Sequence, residues 1–445
     1  MLANSKLKLF DFTMIVISLV IGMGIFRTPV NVAKGSPSPL IFFTIWVAGG
    51  LVALCGALTY AEIGARLPVT GGYYKVFSYA YHPSIAFAIN CLILVSNAAS
   101  LAGVALIGGE YIIGAIAPSL TQGAPALQMA VALTAIALFY GVNLLGLKMS
   151  ARAQSILMML KIILILLLIA PVFFASPHHA AAVVHTLSPT MNQYLIAFGS
   201  GLVAVSFTYG GYQQTINFGA EVANPQRNIP RGIFLGIFAI IALYLTINYA
   251  YVRVIGFENL KESKNIAAIM AGSLFGPYAE RVLSAFLFLG VLGYVNVLLL
   301  SNPRVMYAMS EDGILPSSFM MRSKRTNVLV LSLTVFAALC ALIVFWAKKF
   351  DTILSFSIFL DSFGMVLSAG SIFILRRRTK HLNRTGIYQM KLYPLLPILF
   401  ILAYLFVAGS LLVQQTDIAI KGLIVLASFI AIYFLFFSKR RSKYA

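Results

Sequence analysis

Twelve apolar runs, each about as long as a helix needs to cross a bilayer, follow one another through this chain with short polar connections. A helix rises 1.5 Å per residue and needs about 20 apolar residues to cross the hydrocarbon core. The runs fall near 12–33, 40–65, 84–116, 126–147, 152–175, 193–222, 231–256, 278–309, 327–347, 352–376, 392–413 and 417–438. They use nearly all of the 445 residues, so no length remains for a separate soluble domain. Hydrophobic residues make up 60% and charged residues 10%, and the mean hydropathy is +0.93. The expectation is an all-α integral membrane protein, because a helix satisfies its own backbone hydrogen bonds in lipid. The first run lacks a small-residue cleavage site and reads as a transmembrane helix, not a removed signal peptide.

The net charge of +20 follows the topology. With twelve spans, the even-numbered loops and both termini share one side. That side takes most of the Lys and Arg, including Lys6, Arg66, Lys75, Arg304, Arg322, Lys324, Arg325, Arg376, Arg377 and Arg378. The positive-inside rule places it, with both termini, in the cytoplasm of a multi-pass plasma (bacterial inner) membrane protein. Basic charge distributed this way meets anionic lipid and argues against nucleic-acid binding. Cys55, Cys91 and Cys340 sit far apart within apolar runs, without disulfide or zinc spacing. No Gly-Lys dipeptide exists, which removes a Walker-type phosphate loop and with it ATP-driven pumping. There is no His-Glu-x-x-His, and the five histidines lie outside the segment centres. Neither an enzyme nor a bound metal or cofactor is expected.

Two runs are interrupted where a spanning helix should be continuous. Segment 1 carries Gly22-Met23-Gly24 and segment 6 carries Gly210-Gly211. Unwound backbone at bilayer depth leaves N–H and C=O groups that lipid cannot satisfy, so it must line an enclosed or watery cavity. Secondary transporters hold substrates between half-helices at such breaks. The breaks lie five spans apart, and a five-helix unit starts and ends on opposite faces. A second copy therefore inserts upside down: 12–175 forms one repeat, 193–376 its inverted partner, and 392–438 adds two helices.

A half-helix beginning after Gly24 presents free N–H groups that suit a carboxylate. Half-helices ending near Ile21 and Phe207 present carbonyls that suit an ammonium. An α-amino acid carries both groups on one carbon, and glycines let it approach the backbone. The plainer alternative is that these glycines only let helices pack closely, as Gly232-x-x-x-Gly236 in segment 7 does. Around the second break, Ser206, Phe207, Thr208, Tyr209 and Tyr212 cluster, and Phe207 or Tyr212 is a candidate gate. Lys161 is a lysine ten residues into segment 5; it must pair, face water, lose its proton or snorkel to the edge. Asp361 in segment 10 reads as a helix-joining acid, with a proton site as the alternative. Glu110 falls near the outer end of segment 3. Arg27 reads as a packing or ion-pairing residue, with attraction of acidic substrates as the alternative. Glu62, Glu221, Arg304 and Glu311 lie near the cytoplasmic ends as candidates for gating ion pairs.

Several motifs are also familiar in type and order. Glu221-Val222-Ala223-Asn224-Pro225-Gln226-Arg227-Asn228-Ile229-Pro230-Arg231 resembles the loop after segment 6 in the amino acid–polyamine–organocation superfamily. Gly22-Met23-Gly24-Ile25-Phe26, Tyr60-Ala61-Glu62-Ile63-Gly64 and Gly293-Tyr294-Val295-Asn296 resemble its segments 1, 2 and 8. The L-type amino acid transporters and their bacterial relatives are the nearest likeness. That resemblance implies a leucine-transporter-type 5+5 fold, with substrate held by backbone groups of Val20, Ile21, Gly22, Met23 and Gly24, together with Phe207, Thr208 and Gly210. It also implies that Phe207 gates. Lys161 matches a lysine standing where sodium-coupled relatives bind sodium, where it would bridge segments 1 and 8 and make transport sodium-independent. Mammalian relatives carry a partner-linking cysteine after segment 3. The stretch Pro118–Pro125 has none, so no disulfide-linked partner is expected. Met23 replaces a usually small residue and narrows the expected pocket.

The expectation is a secondary amino acid transporter working by alternating access, as an exchanger or with protons. A polyamine carrier and a receptor that binds an amino acid without moving it remain open.

Overall fold

The computed structural model describes residues 6–22, 24–117, 125–173, 191–263, 266–346, 350–384 and 386–437. Its helices are α1 (Leu9–Val20), α2 (Gly24–Gly35), α3 (Pro39–Arg66), α4 (Gly72–Ala80), α5 (Pro83–Ile116), α6 (Pro125–Leu144), α7 (Leu147–Ile169) and α8 (Met191–Tyr209). They continue with α9 (Pro225–Ile255), α10 (Phe257–Glu262), α11 (Ile266–Phe275), α12 (Ala279–Glu311), α13 (Val330–Trp346), α14 (Phe350–Arg378), α15 (Leu395–Gln414) and α16 (Thr416–Phe436). Eleven stretches are long and apolar enough to cross a membrane, with α1 and α2 counted together; α13 is apolar but shorter. Among the described residues there are only isolated β-bridges, Leu7 with Val222 and Thr70 with Phe218. The connections expected as plain loops contain the short helices α4, α10 and α11.

Local chemistry sets where the long helices begin and end. Pro39 and Pro83 occupy the first turns of α3 and α5, where a missing N–H costs nothing. Ser38 Oγ accepts from Ile41 N at 3.4 Å and His82 Nδ1 from Ser84 N at 3.3 Å, so both starts are capped. Gly146 turns the chain between α6 and α7 at a φ of +108°.

The centre of the molecule is the segment around α1, α5, α9 and α12. α5 packs most extensively against α12, and α3 against α9. Gly232 and Gly236 carry out the close packing their spacing predicts: added Cβ atoms there would meet Phe12 and Val16 of α1. By contrast α16 is largely uncovered by protein, and its exposed Ile420, Ile424, Leu435 and Phe436 fit a lipid-facing helix.

Both described chain ends reach one face. Leu7 N donates to Glu221 O at 2.8 Å, and Phe437 packs 5.1 Å from Phe87 near the start of α5. The linkers from α3 to α4 and from α8 to α9 lie on this face too, joined by Gly71 N to Asn217 O at 3.0 Å.

Candidate functional site

The two breaks meet each other. α1 ends at Val20; Ile21 N still reaches Ile17 O at 2.7 Å and Gly22 N turns back to Val20 O at 2.7 Å, before α2 starts at Gly24. Met23 lies outside the described residues. α8 ends at Tyr209, and Gly210 N donates to Phe207 O at 3.2 Å. Gly211 then takes a φ of +111°, reserved in practice for glycine. Its own N–H is held by Gln213 Oε1 at 2.9 Å. The second half of segment 6 is not an α half-helix but two 3₁₀ turns, Tyr212–Asn217 and Gly219–Glu221.

A Cβ on Gly24 would sit 2.8 Å from Thr208 Oγ1 and 3.2 Å from its Cα, and one on Gly211 would strike the carbonyl oxygen of Leu19. Each glycine is therefore required by the backbone of the other break. Tyr244 on α9 reinforces the junction, its hydroxyl 3.3 Å from both Val20 O and Thr208 O. Thr208 Oγ1 adds a 2.8 Å hydrogen bond to Thr28 Oγ1 of α2.

A cavity of about 60 Å³ opens at this junction. One ordered water needs roughly 10–15 Å³ of such space, so the cavity admits several waters or a small solute. Val20, Gly22, Gly24, Phe207, Thr208 and Gly210 line it. The rest of its wall is more polar than the sequence reading foresaw: Asn97 and Ser100 of α5, Gln214, Tyr294 of α12, and Ser357 and Asp361 of α14. Asn97 and Ser100 are three residues apart and Ser357 and Asp361 four, which places each pair on one helical face. Polar residues at that spacing inside apolar runs were the available signal for this wall.

Lys161 is 3% exposed. Its Nζ donates to Ile21 O at 2.6 Å, directly at the first break. Its stem needs the missing side chain of Gly290: a Cβ there would lie 2.9 Å from Lys161 Cε. Lys161 thus contacts both segment 1 and segment 8. Two turns from Lys161 toward the face of the chain ends, α7 and α12 are joined by Gln154 Nε2 to Gly293 O at 3.0 Å and Asn296 Nδ2 to Gln154 Oε1 at 2.6 Å. Asn143 of α6 completes this network through Asn296 Oδ1 at 2.9 Å.

Other singled-out residues sit elsewhere. Ile21 is buried off the cavity wall, with its carbonyl engaged by Lys161. Tyr212 also lies off the wall, 6.0 Å from the Tyr60 ring, and its buried hydroxyl has no hydrogen-bond partner among the described residues. Phe207 is half-buried and faces the cavity. Arg27 and Glu110 are exposed. The stretch Pro118–Pro125 lies outside the described residues except for Pro125.

The acids and bases of the face carrying the chain ends, which could not be matched from sequence, form defined pairs. Arg304 binds Glu221 at 2.7 Å and covers the Phe218 ring at 4.4 Å, joining α12 to the end of segment 6. Lys75 of α4 binds Asp312 at 2.5 Å and Glu311 at 2.7 Å. Partial burial pushes the Lys75 ammonium down, but Asp312 and Glu311 raise it further, so it stays charged. Glu62 takes Arg66 at 2.8 Å and Arg376 at 2.6 Å, and accepts from Met390 N at 2.8 Å.

Comparison with known proteins identifies the family. Residues 7–437 match the family model described as amino acid permease. The chain is 29% identical over 415 residues to the serine/threonine exchanger SteT of Bacillus subtilis, covering 92% of this chain and 91% of the relative. It is 24% identical over 440 residues to the Asc-type amino acid transporter 1 of Mus musculus, covering 97% and 81%. It is 25% identical over 431 residues to the human large neutral amino acids transporter small subunit 2, covering 95% and 78%. A family match running from the first described residues to the last makes this chain a member of the amino acid permease family.

Proposed function

We propose that this protein is a secondary transporter that carries an α-amino acid across the plasma membrane by alternating access. The carrying observation is the backbone contact between the two breaks, Gly24 on Thr208 and Gly211 on Leu19, beside a cavity inside the bundle. A zwitterion is the ligand that uses both kinds of helix end, its carboxylate at the start of α2 and its ammonium at the carbonyls ending α1 and α8. In this reading Val20, Ile21, Gly22, Met23, Gly24, Thr208 and Gly210 form the backbone site, and Phe207 closes over the bound molecule. Tyr212 supports the junction from behind.

A twelve-span 5+5 inverted repeat organises the site. Its support is that four of the five predicted equivalent pairs pack together, α2 on α8, α3 on α9, α5 on α12 and α6 on α13. The face with the chain ends is cytoplasmic by its basic residues. Its ion pairs close that side, and alternating access requires Arg304–Glu221 and Lys75–Asp312 to open on the inward stroke. Lys161 supplies a fixed charge at the first break in place of a bound cation, making transport sodium-independent. Exchange is the favoured mode, supported by the Bacillus relative's name. In this reading the protein acts without a disulfide-linked partner, because the stretch Pro118–Pro125 carries no cysteine.

Purified protein in liposomes loaded with unlabelled serine tests this. Labelled serine should enter saturably, faster than into empty liposomes, with no dependence on sodium. Retained binding without flux would make the protein a receptor, and flux of a polyamine but not of an amino acid would reassign the substrate.

A further inference from the structure

Asp361 carries the one carboxyl group among the described residues on the wall of the cavity, and no Lys, Arg or His lies beside it there. Its Oδ1 accepts a 3.2 Å hydrogen bond from Ser96 Oγ, and among the described residues it has no further hydrogen bond and no cationic partner. A carboxylate has two oxygens and about four acceptor positions, so most of its capacity is unused. Among the described residues no other polar group of the wall hydrogen-bonds it. Ser100 Oγ and Tyr294 Oη bond each other at 2.8 Å. The Asn97 amide donates to Asn302 Oδ1 at 2.7 Å, and its own oxygen takes Gln214 Nε2 at 2.9 Å. Lys161 is turned to Ile21 O and is not on the wall.

The wall therefore carries a carboxyl group with most of its acceptor positions unmet, at a depth where a lone charge is expensive. A ligand that satisfies it brings several N–H donors and a positive charge, as an ammonium with three donors does. The α-ammonium of an amino acid is already assigned to the helix-end carbonyls, so the donor must come from the side chain. The cavity's small volume restricts that side chain to a short one.

We infer that Asp361 is a side-chain subsite for a cationic group, and that the preferred substrates are short diamino acids such as 2,4-diaminobutyrate or ornithine. This rests on the amino acid reading of the site and assigns its selectivity, which α14 and α5 set and the broken segments do not.

The test is binding to purified protein, read by calorimetry or thermal stabilisation, so that it does not require flux. The probes are 2,4-diaminobutyrate and its neutral counterpart homoserine, with the wild type, Asp361→Asn and Asp361→Glu. In the wild type 2,4-diaminobutyrate should bind at least about tenfold more tightly. Asp361→Asn should remove that preference while changing homoserine affinity by less than about threefold, and Asp361→Glu should keep part of it. Tighter homoserine binding by the wild type overturns the inference even if no variant folds. Equal losses for both probes in Asp361→Asn also overturn it, and place the carboxylate on the α-ammonium or in a structural role. An unchanged preference, or binding of a simple diamine in place of both amino acids, overturns it too. Binding of the diamino acid without flux would leave the subsite standing and sink transport alone.

Discussion

The two breaks solve one problem in different ways. The second is held mainly from within: Gly211 takes a conformation only glycine adopts readily, Gln213 caps its N–H, and 3₁₀ turns resume at Tyr212. The first needs a distant residue, since Ile21 O is met by Lys161 reaching across from α7. One break is a property of local sequence; the other exists only in the folded bundle. A break stabilised by its own turn suits a fixed wall. A break held by side chains from two other helices, Lys161 of α7 and Tyr244 of α9, suits a part that moves.

Substitution at the glycines should separate them most strongly. Gly211→Ala combines a left-handed φ, which costs roughly 1–2 kcal/mol for other residues, with a collision against Leu19 O. We expect loss of folded protein, measured as monodisperse yield after solubilisation. Gly24→Ala meets the movable Thr208 side chain first, although the Thr208 Cα is also close. It should retain much of its folded yield yet lose transport by more than about tenfold, because each 1.4 kcal/mol of misplacement is a factor of ten. Equal folding defects would erase the distinction between the breaks.

Lys161→Ala comes next. It leaves Ile21 O without its donor, at a cost of about 1–3 kcal/mol for a buried unsatisfied group, and opens space beside Gly290. Exchange should fall about tenfold or more, with folded yield less affected than in Gly211→Ala. Uptake at wild-type rate in Lys161→Ala would remove the claim that the first break depends on α7.

The ion pairs should have intermediate effects. Glu221→Gln keeps shape but deletes the charge facing Arg304, and breaking a largely buried pair costs about 3–5 kcal/mol as an upper range. Part of this loss falls on the closed state alone, so a cysteine placed on that face should label several-fold faster. Unaltered labelling would show that the pair does not seal that face.

Tyr212→Phe should have the smallest effect. Its buried hydroxyl lacks a partner, so removal is neutral or slightly stabilising, by up to about 1 kcal/mol. Transport should stay within about twofold of wild type. A larger loss would return Tyr212 to the role of gate.

Much of this was legible in the sequence for a simple reason. Apolar length marks a membrane helix, and paired glycines mark where it cannot continue, so the long helices and both breaks could be read directly. Side-chain rotation about each helix could not. Asp361 reads as a helix-joining acid and does bond Ser96 of α5, but it also faces the cavity, while Tyr212, read as a candidate gate, packs behind it. Asn97 carries no signal of its own in the sequence, and Tyr294 only its place in the segment 8 motif, because their position at the cavity comes from which helices meet. The second half of segment 6 was expected to be α-helical. Its 3₁₀ turns lie close against the start of α4 and the linker before it: a Cβ on Gly72 would meet Ile216 O, and one on Gly219 would meet Pro68 and Val69.

The central claim is that the two breaks together read both charges of one amino acid. It is tested most directly by competition against labelled serine exchange in liposomes, using serine methyl ester, which lacks the carboxylate, and ethanolamine and lactate, which each lack one of the two charged groups. The account predicts that unlabelled serine competes fully and that none of the three analogues competes within about a hundredfold of its concentration. Competition by the ester at serine's own concentration would mean that no carboxylate is read at the start of α2, and would contradict it.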